Sequence, residues 1–473
     1  PCGEVIGDWD VSRVTDMSNV FESKTTFNAN LTNWDTSKVT SLQDIFQDAN
    51  AFNGDISRWD TSRVTSMERT FVLTKSFNGD ISRWDTSRVT SMFRTFYKAH
   101  VFNGDVSRWD TSSVTTLYQT FAYMYQFNED ISDWDTSSLA SLRSAFYGAS
   151  AFNGDVSRWD TSRVTTLERT FSGAKVFNGD VSRWDTSRVT TLERTFSGAK
   201  VFNGNISGWD TSNVTTLYQT FYQAGDFNRN ISGWDTSKVT TLHGTFRMAY
   251  AFNGDLSGWD TSKVTNMGRT FQDAQSFTGD GVSNWDTSSV TTLSATFYSA
   301  SSFTGDGVFN WDTSSVKSLH ATFRGATSFT GDGVLNWSTM RVTTLSTTFL
   351  GATSFTGDGV LNWDTSKVTD MGWTFQDAQS FTGDGVLNWD TSSVKTLMGT
   401  FYRATLFTGD GVLNWDTSSV TTLSQTFFLA TSFTGDGVFN WDTSRVTSLH
   451  YTFRDATSFT GDGVSNWDTS KVT

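Results

Sequence analysis

Carboxylates recur in this sequence at two fixed places. Nineteen of the 20 tryptophans share one frame, every 25 residues from Trp9 to Trp259 and every 26 from there to Trp467; Asp follows eighteen of them, Ser338 being the exception. A second acid, in a Gly-Asp pair, fills 15 of the 18 equivalent places shortly before each later Trp, with Asn at 30, 205 and 230. If equivalent residues stack about 5 Å apart from coil to coil, each column sets like charges side by side, so each charge needs an answer. One answer is local. The Asp after Trp, followed by Thr-Ser, can accept from the free amides at a helix start, and the Gly-Asp acid suits an Asx-type turn. The other answer is a divalent cation, calcium first, held between successive oxygens; Asp280, Asp306, Asp332 and Asp358 are the candidate ligands. Asn at three places keeps the turn chemistry and removes the charge, which favours the local answer.

Other columns offer other chemistry. Arg58, Arg83, Arg108, Arg158 and Arg183 each precede a framed Trp, and Arg63, Arg88, Arg163 and Arg188 lie five residues further on, all in the first half. They form either a solvated zwitterionic face or a charge-patterned patch for a partner. Trp and Phe ladders could stack on glycans, but strict registry favours a core. Threonines such as Thr65, Thr90, Thr115 and Thr165 raise an ice-binding reading through spaced hydroxyls. Asn-x-Ser/Thr acceptors for N-glycosylation stand at Asn30, Asn205, Asn213, Asn230 and Asn336. Catalysis has little to work with. The four His (100, 243, 320, 450) are scattered, no nucleophile has a base partner, and the Gly-Asp-Gly triplets lack the Lys of a phosphate loop. The reading is of a non-enzyme without cofactors.

The totals narrow the partners. A formal charge of −14 argues against nucleic acid, which needs a basic face. No apolar run approaches the roughly 18 residues of a membrane span. A lone Cys2 provides neither an internal disulfide framework nor a cysteine-based metal site. A single Pro leaves no Pro-rich linker. The sequence starts at Pro1 rather than Met and shows no signal peptide, which leaves room for a leader removed from or lying ahead of this stretch.

Positioning these columns requires a solenoid, in which each unit buries its apolar face only by stacking on neighbours. Apolar residues at 5, 8, 12 and 15 after Trp, as in Val164, Leu167, Phe171 and Ala174, have helical spacing. The spacing predicts a helix of at most about three turns, partly 3₁₀. Asn-Gly-Asp then reads as a turn, and Asp-Ile-Ser-Arg-Trp as a short strand of a parallel sheet. The expected fold is an α/β leucine-rich-repeat-like solenoid of about 19 coils, curved because helices are wider than strands; an all-β solenoid is the alternative. Residues 1–473 read as one array, with 25-residue coils in 1–258 and 26-residue coils in 259–473. The longer period has a visible source, an added Gly in FTGDGV (281, 307, 333 and onward), expected to widen a turn while core registry persists. The incomplete last coil reads as a fragment of a longer chain.

Written out, the repeat resembles the BspA-like leucine-rich-repeat surface proteins, in particular their mycoplasma surface-lipoprotein branch. The resemblance rests on Trp59, Asp60, Thr61, Ser62, Val64, Thr65, Met67, Phe71, Phe77, Asn78, Asp80, Ile81 and Ser82, and on their equivalents in most coils. Thr70 and Thr95 depart from it, standing where that family has a second Met. It implies an extracellular or cell-surface protein engaged in adhesion and protein–protein contact, with itself or another surface protein as partner. A glycan- or calcium-binding module is the alternative.

Overall fold

The stretch with helical spacing does not form a helix. The computed structural model describes residues 5–473, so Cys2 lies outside the described residues. In coil after coil, the residues 10 and 14 places after Trp have positive φ, as at Arg69 (54°) and Leu73 (59°), or Arg169 (55°) and Gly173 (76°). A left-handed residue at every fourth position forbids a continuous i→i−4 ladder. Amides there split between two uses. Thr70, Val72 and Thr74 donate backward to Met67, Arg69 and Phe71, closing successive turns, while Arg69, Phe71 and Leu73 donate to Phe93, Thr95 and Tyr97 of the next coil at 2.8–2.9 Å. Thr, Val and Ser are mediocre helix formers, so little propensity opposes this arrangement.

The strand expectation is also corrected. Asp-Ile-Ser-Arg-Trp closes a turn, with the Trp84 amide donating to the Ile81 carbonyl at 3.1 Å. Parallel pairing falls instead seven residues after Trp, inside the expected helix, as single-residue bridges: Ser41 to Ser66 to Ser91 in the first part, Thr292 to Ser318 to Thr344 in the second. The all-β alternative fails for the same reason. The helical elements among the described residues are three-residue 3₁₀ turns, Ile6–Asp8 early and seven later ones from Asp306–Val308 to Asp462–Val464. The helix-against-strand asymmetry from which curvature was expected is therefore absent. What forms is a repeat solenoid built from turns.

The chain comprises two compact units, Pro1–Lys238 and Val239–Thr473. Each has the same internal core. In-frame indoles from Trp34 to Trp441 are 1–5% exposed. In the first unit Trp159 lies parallel to Trp134 and Trp184, at 6.5 and 6.4 Å. Its Nε1 donates to the Ile131 carbonyl one coil back at 3.0 Å, so the buried polar end is satisfied. The second unit repeats this with Trp363 and the Val334 carbonyl at 3.2 Å. Phe171 stacks on Phe177 within its coil at 3.8 Å and on Phe196 of the next at 5.9 Å. The threonines that replace the second Met are fully buried. Thr195 Oγ1 lies 3.0 Å from the carbonyls of both Leu167 and Leu192, tying two coils at a point where a Met could only pack.

The added Gly has a specific structural role. In the first unit an exposed asparagine ladder joins the turns, with Asn178 N–H donating to Asn153 Oδ1 and Asn203 N–H to Asn178 Oδ1, both at 2.8 Å. In the second unit Thr takes the Asn place and the bond passes between backbones, as from Thr356 N–H to the Thr330 carbonyl at 3.2 Å. The first Gly of the triplet is left-handed (Gly331, φ 111°), and the added Gly333 sits so close that a Cβ would lie 1.9 Å from the Gly305 carbonyl oxygen. Only Gly fits there. Core registry persists through the longer coils, with Trp337 and Trp363 parallel at 6.5 Å.

Trp159→Ala is expected to cost about 3–5 kcal/mol in denaturant unfolding, because it removes a stacked ring and leaves a cavity. Trp9→Ala serves as the control, since Trp9 is 51% exposed. Equal losses for the two variants would contradict the stacked core.

Candidate interaction surface

The acid columns are held by their own turns. The Asp after Trp caps no helix; its Oδ1 accepts from the amide two residues on, as from Ser162 to Asp160 at 2.9 Å. The Gly-Asp acids of the first unit do the same, Ser57 N–H to Asp55 Oδ1 at 2.9 Å. In the second unit the candidate calcium ligands accept a threonine hydroxyl instead. Asp280, Asp306, Asp332 and Asp358 receive Thr278, Thr304, Thr330 and Thr356 Oγ1 at 3.0–3.3 Å. Among the described residues no three His, Cys, Asp or Glu side chains converge as a metal would need.

Hydrogen bonds from Ser57, Ser82 and Ser107, and then the nearby arginines, hold the carboxyls of Asp55, Asp80 and Asp105 below the ordinary 3.8. Those arginines are Arg58, Arg83 and Arg108, all exposed. Of the predicted patch only Arg158 makes an ion pair among the described residues, with Asp133 at 3.2 Å, and both partners are largely in water. Arg58, Arg83, Arg108 and Arg183 keep their guanidinium groups toward solvent at the same place in each coil. The second group, Arg63, Arg88, Arg163 and Arg188, is exposed as well.

The glycosylation candidates are all on the surface. Asn30, Asn205 and Asn230 occupy the Asp place and accept from Thr32, Ser207 and Ser232 amides at 2.9–3.1 Å. Asn213 accepts from Lys238 Nζ at 2.8 Å and donates to the Ser187 carbonyl at 2.9 Å. Asn336 is exposed beside Leu335. The threonine column turns its hydroxyl hydrogens inward: Thr65, Thr90, Thr115 and Thr165 each donate to a carbonyl of the preceding coil at 3.1–3.4 Å. The buried indoles offer no face to a sugar. His100 stacks on Tyr125 at 4.7 Å, and burial holds the His243 imidazole below its ordinary 6.5.

Sequence reasoning missed one feature. Two residues before Trp, the second unit carries Phe309, Leu335, Leu361, Leu387, Leu413 and Phe439 in six consecutive coils, each 38–46% exposed. The 3₁₀ turns put them there. Val334 takes the core place with no exposed surface, and Leu335 continues the turn at φ −58°, which carries its side chain outward. The Asp column runs along this stripe, so that Asp306, Asp332 and Asp358 line a cleft of about 410 Å³ together with Phe309 and Leu335. The signal was available: the same place holds Ser in the first unit from Ser57 to Ser232, and again at Ser283 and Ser465.

No helix among the described residues is long and apolar enough to cross a membrane. Comparison with solved structures returns leucine-rich-repeat proteins at low identity. One from Bacteroides ovatus is 12% identical, covering 73% of this chain and 81% of that one, with a TM-score of 0.30. A leucine-rich cell surface protein from Faecalibacterium prausnitzii is 15% identical, covering 51% and 76%, with a TM-score of 0.27. One from Eubacterium ventriosum is 12% identical, covering 84% and 76%, with a TM-score of 0.23. Comparison with curated proteins finds no match.

The turn-held acids predict an acid-labile fold. A carboxyl whose folded pKa is depressed contributes stability that is present above its ordinary pKa and is lost as pH falls through the folded value. The melting temperature should be level above about pH 5 and fall below about pH 4. In the triple variant Asp55→Asn, Asp80→Asn, Asp105→Asn the acid slope should be shallower and the melting temperature at neutral pH lower, since Asn keeps the bond seen at 30, 205 and 230 but not the charge that strengthens it. An unchanged acid slope would contradict this origin.

The repeat itself is matched directly. The family described as "Mycoplasma protein of unknown function, DUF285" matches at residues 2–107, 74–181, 166–283, 276–384, 330–411 and 407–473, and the chain belongs to that family.

Proposed function

We propose that this protein is a non-enzymatic scaffold for protein–protein contact, displayed outside the cell, which associates with itself or with another surface protein. The half-exposed Phe/Leu stripe of the second unit carries this reading. Large apolar side chains aligned over six coils form a patch of the kind that marks interaction sites. Covering them gains roughly 1 kcal/mol each, a fraction of the value for burying a fully exposed Leu or Phe. The flanking carboxylates select a partner that carries basic groups beside apolar ones. A second copy of the chain offers exposed arginines before five framed Trp of its first unit, and the same apolar stripe in its second. The membership in a repeat family whose sequence resembles surface proteins supports the extracellular placement.

Repetition then does what a single pocket does not. Contacts that are weak per coil act together across the six coils of the stripe, so that binding rests on avidity. Sedimentation of the protein at micromolar concentration and low salt tests this. Self-association is expected, weakening as salt screens the charges and abolished in Leu335→Arg, Leu361→Arg, Leu387→Arg. A strict monomer at low salt would contradict self-association, and would leave only a heterologous basic partner.

A further inference from the structure

Trp373 is the one tryptophan outside the frame, and it stands on a column that does not repeat. Ten residues after Trp, consecutive coils of the second unit carry Ala321, Thr347, Trp373, Gly399, Gln425 and Tyr451. The backbone is left-handed at each of them, with φ 56° at Thr347 and 59° at Trp373, yet the side chain changes from coil to coil. The half-buried indole leans over the following coil, where Gly399 leaves space for it: a Cβ there would lie 1.9 Å from the indole Cε3. Tyr402 stands edge-on to the indole at 5.9 Å and stacks on Phe428 at 4.8 Å. A cleft of about 330 Å³ passes these rings, reaching from Arg324 to Gln425. That volume is within the range of ligand sites.

One hydroxyl on its wall is unanswered. Thr347 lines the cleft at 9% exposure, and its Oγ1 is buried without a hydrogen-bond partner among the described residues. Buried hydroxyls are ordinarily paired, as that of the adjacent Thr348 is with the Leu319 and Leu345 carbonyls. Two further donors lining the cleft have no acceptor in the protein among the described residues. In-frame indoles such as Trp363 and Trp389 donate to a carbonyl one coil back, but Trp373 Nε1 does not. Arg324 packs on Tyr298 at 5.1 Å, while the ion pairs of the unit's arginines belong to Arg403 and Arg454. Strand addition is closed, because the amides of Thr347, Trp373, Gly399 and Gln425 are already donated to the next coil at 2.8–2.9 Å. A helix spends its carbonyls on its own amides and would leave Thr347 unanswered. A polyproline II segment keeps every carbonyl free, and its prolines bring rings to an aromatic wall.

We propose that this cleft binds a proline-rich segment of another protein in the polyproline II conformation. Proline rings pack on Trp373 and Tyr402, and backbone carbonyls accept from Thr347 Oγ1, Trp373 Nε1 and Arg324. The length fits. Arg324 and Gln425 lie four coils apart, roughly 20 Å at about 5 Å per coil. At about 3.1 Å per residue, two polyproline turns of about six residues cover that span. These 473 residues hold a single Pro, so the occupant is not a second copy of this array. The column two places before Trp takes no part, and failure here leaves the scaffold reading standing.

Calorimetric titration of the full chain with acetylated decaproline tests it, with a Gly-Ser decapeptide and cellohexaose for comparison. Decaproline is expected to bind with a dissociation constant of about 1 mM or better, and the other two at least about tenfold more weakly. Trp373→Ala should weaken decaproline binding about tenfold with cooperative melting retained, since Ala295 and Ala321 occupy the same left-handed place. Thr347→Val keeps the shape and removes the hydroxyl. Binding should fall about fivefold while the melting temperature does not fall, because no internal bond is lost. Absence of decaproline binding at about 10 mM would overturn the proposal. So would equal binding of the Gly-Ser peptide, tighter binding of cellohexaose, or decaproline binding unchanged in Trp373→Ala.

Discussion

Each coil hands the amides at 8, 10, 12 and 14 after Trp to the carbonyls of its neighbour, and the remaining features of the structure follow from that transfer. It requires two left-handed residues per coil. For residues such as Arg69, Leu73, Arg94 and Lys98 each costs about 1 kcal/mol. A net gain of about 1 kcal/mol for each of four inter-coil bonds outweighs this. Local turns at Thr70, Val72 and Thr74 use the alternate amides, so the buried backbone is satisfied without a helix. Stacking is therefore not an addition to preformed secondary structure but the means by which the backbone is paired at all.

Backbone transfer locks the side chains into columns. With register fixed coil by coil inside each unit, in-frame Trp stacks on Trp and Phe on Phe, and the indole N–H reaches the equivalent carbonyl each time. Polar columns obey the same register. Asn203 on Asn178 in the first unit and Thr356 on Thr330 in the second are two solutions to joining one turn. The change from Asn to Thr accompanies the added Gly because the second solution brings backbones together, where no Cβ fits beside the Gly305 oxygen. That exchange has a surface consequence: the 3₁₀ turns it creates swing Leu335 and its equivalents into solvent beside the acid column.

Much of this was legible in the sequence, and for one reason. Frame identifies a core, so Trp159, Phe171, Phe177 and Val164 could be placed as buried columns, and the Gly-Asp acids as turn residues, before any coordinates. Helix was a wrong inference because spacing of 3 and 4 records which residues face inward but not the handedness of those between them. Arg169, Leu73 and Trp373 carry no sign of positive φ. The available hint was Gly at equivalent places, at 148, 173, 198, 244 and 351, which are all left-handed. The apolar stripe stayed hidden because the shift from Ser to Leu or Phe two residues before Trp falls outside the charged columns.

The amide I infrared spectrum of the intact chain tests the central claim most directly, since it reports backbone pairing without dependence on the aromatic side chains. Turn and parallel-bridge components with no α-helical component are the predicted result. A helical component of the size that one three-turn helix per coil would give is the result that would contradict it.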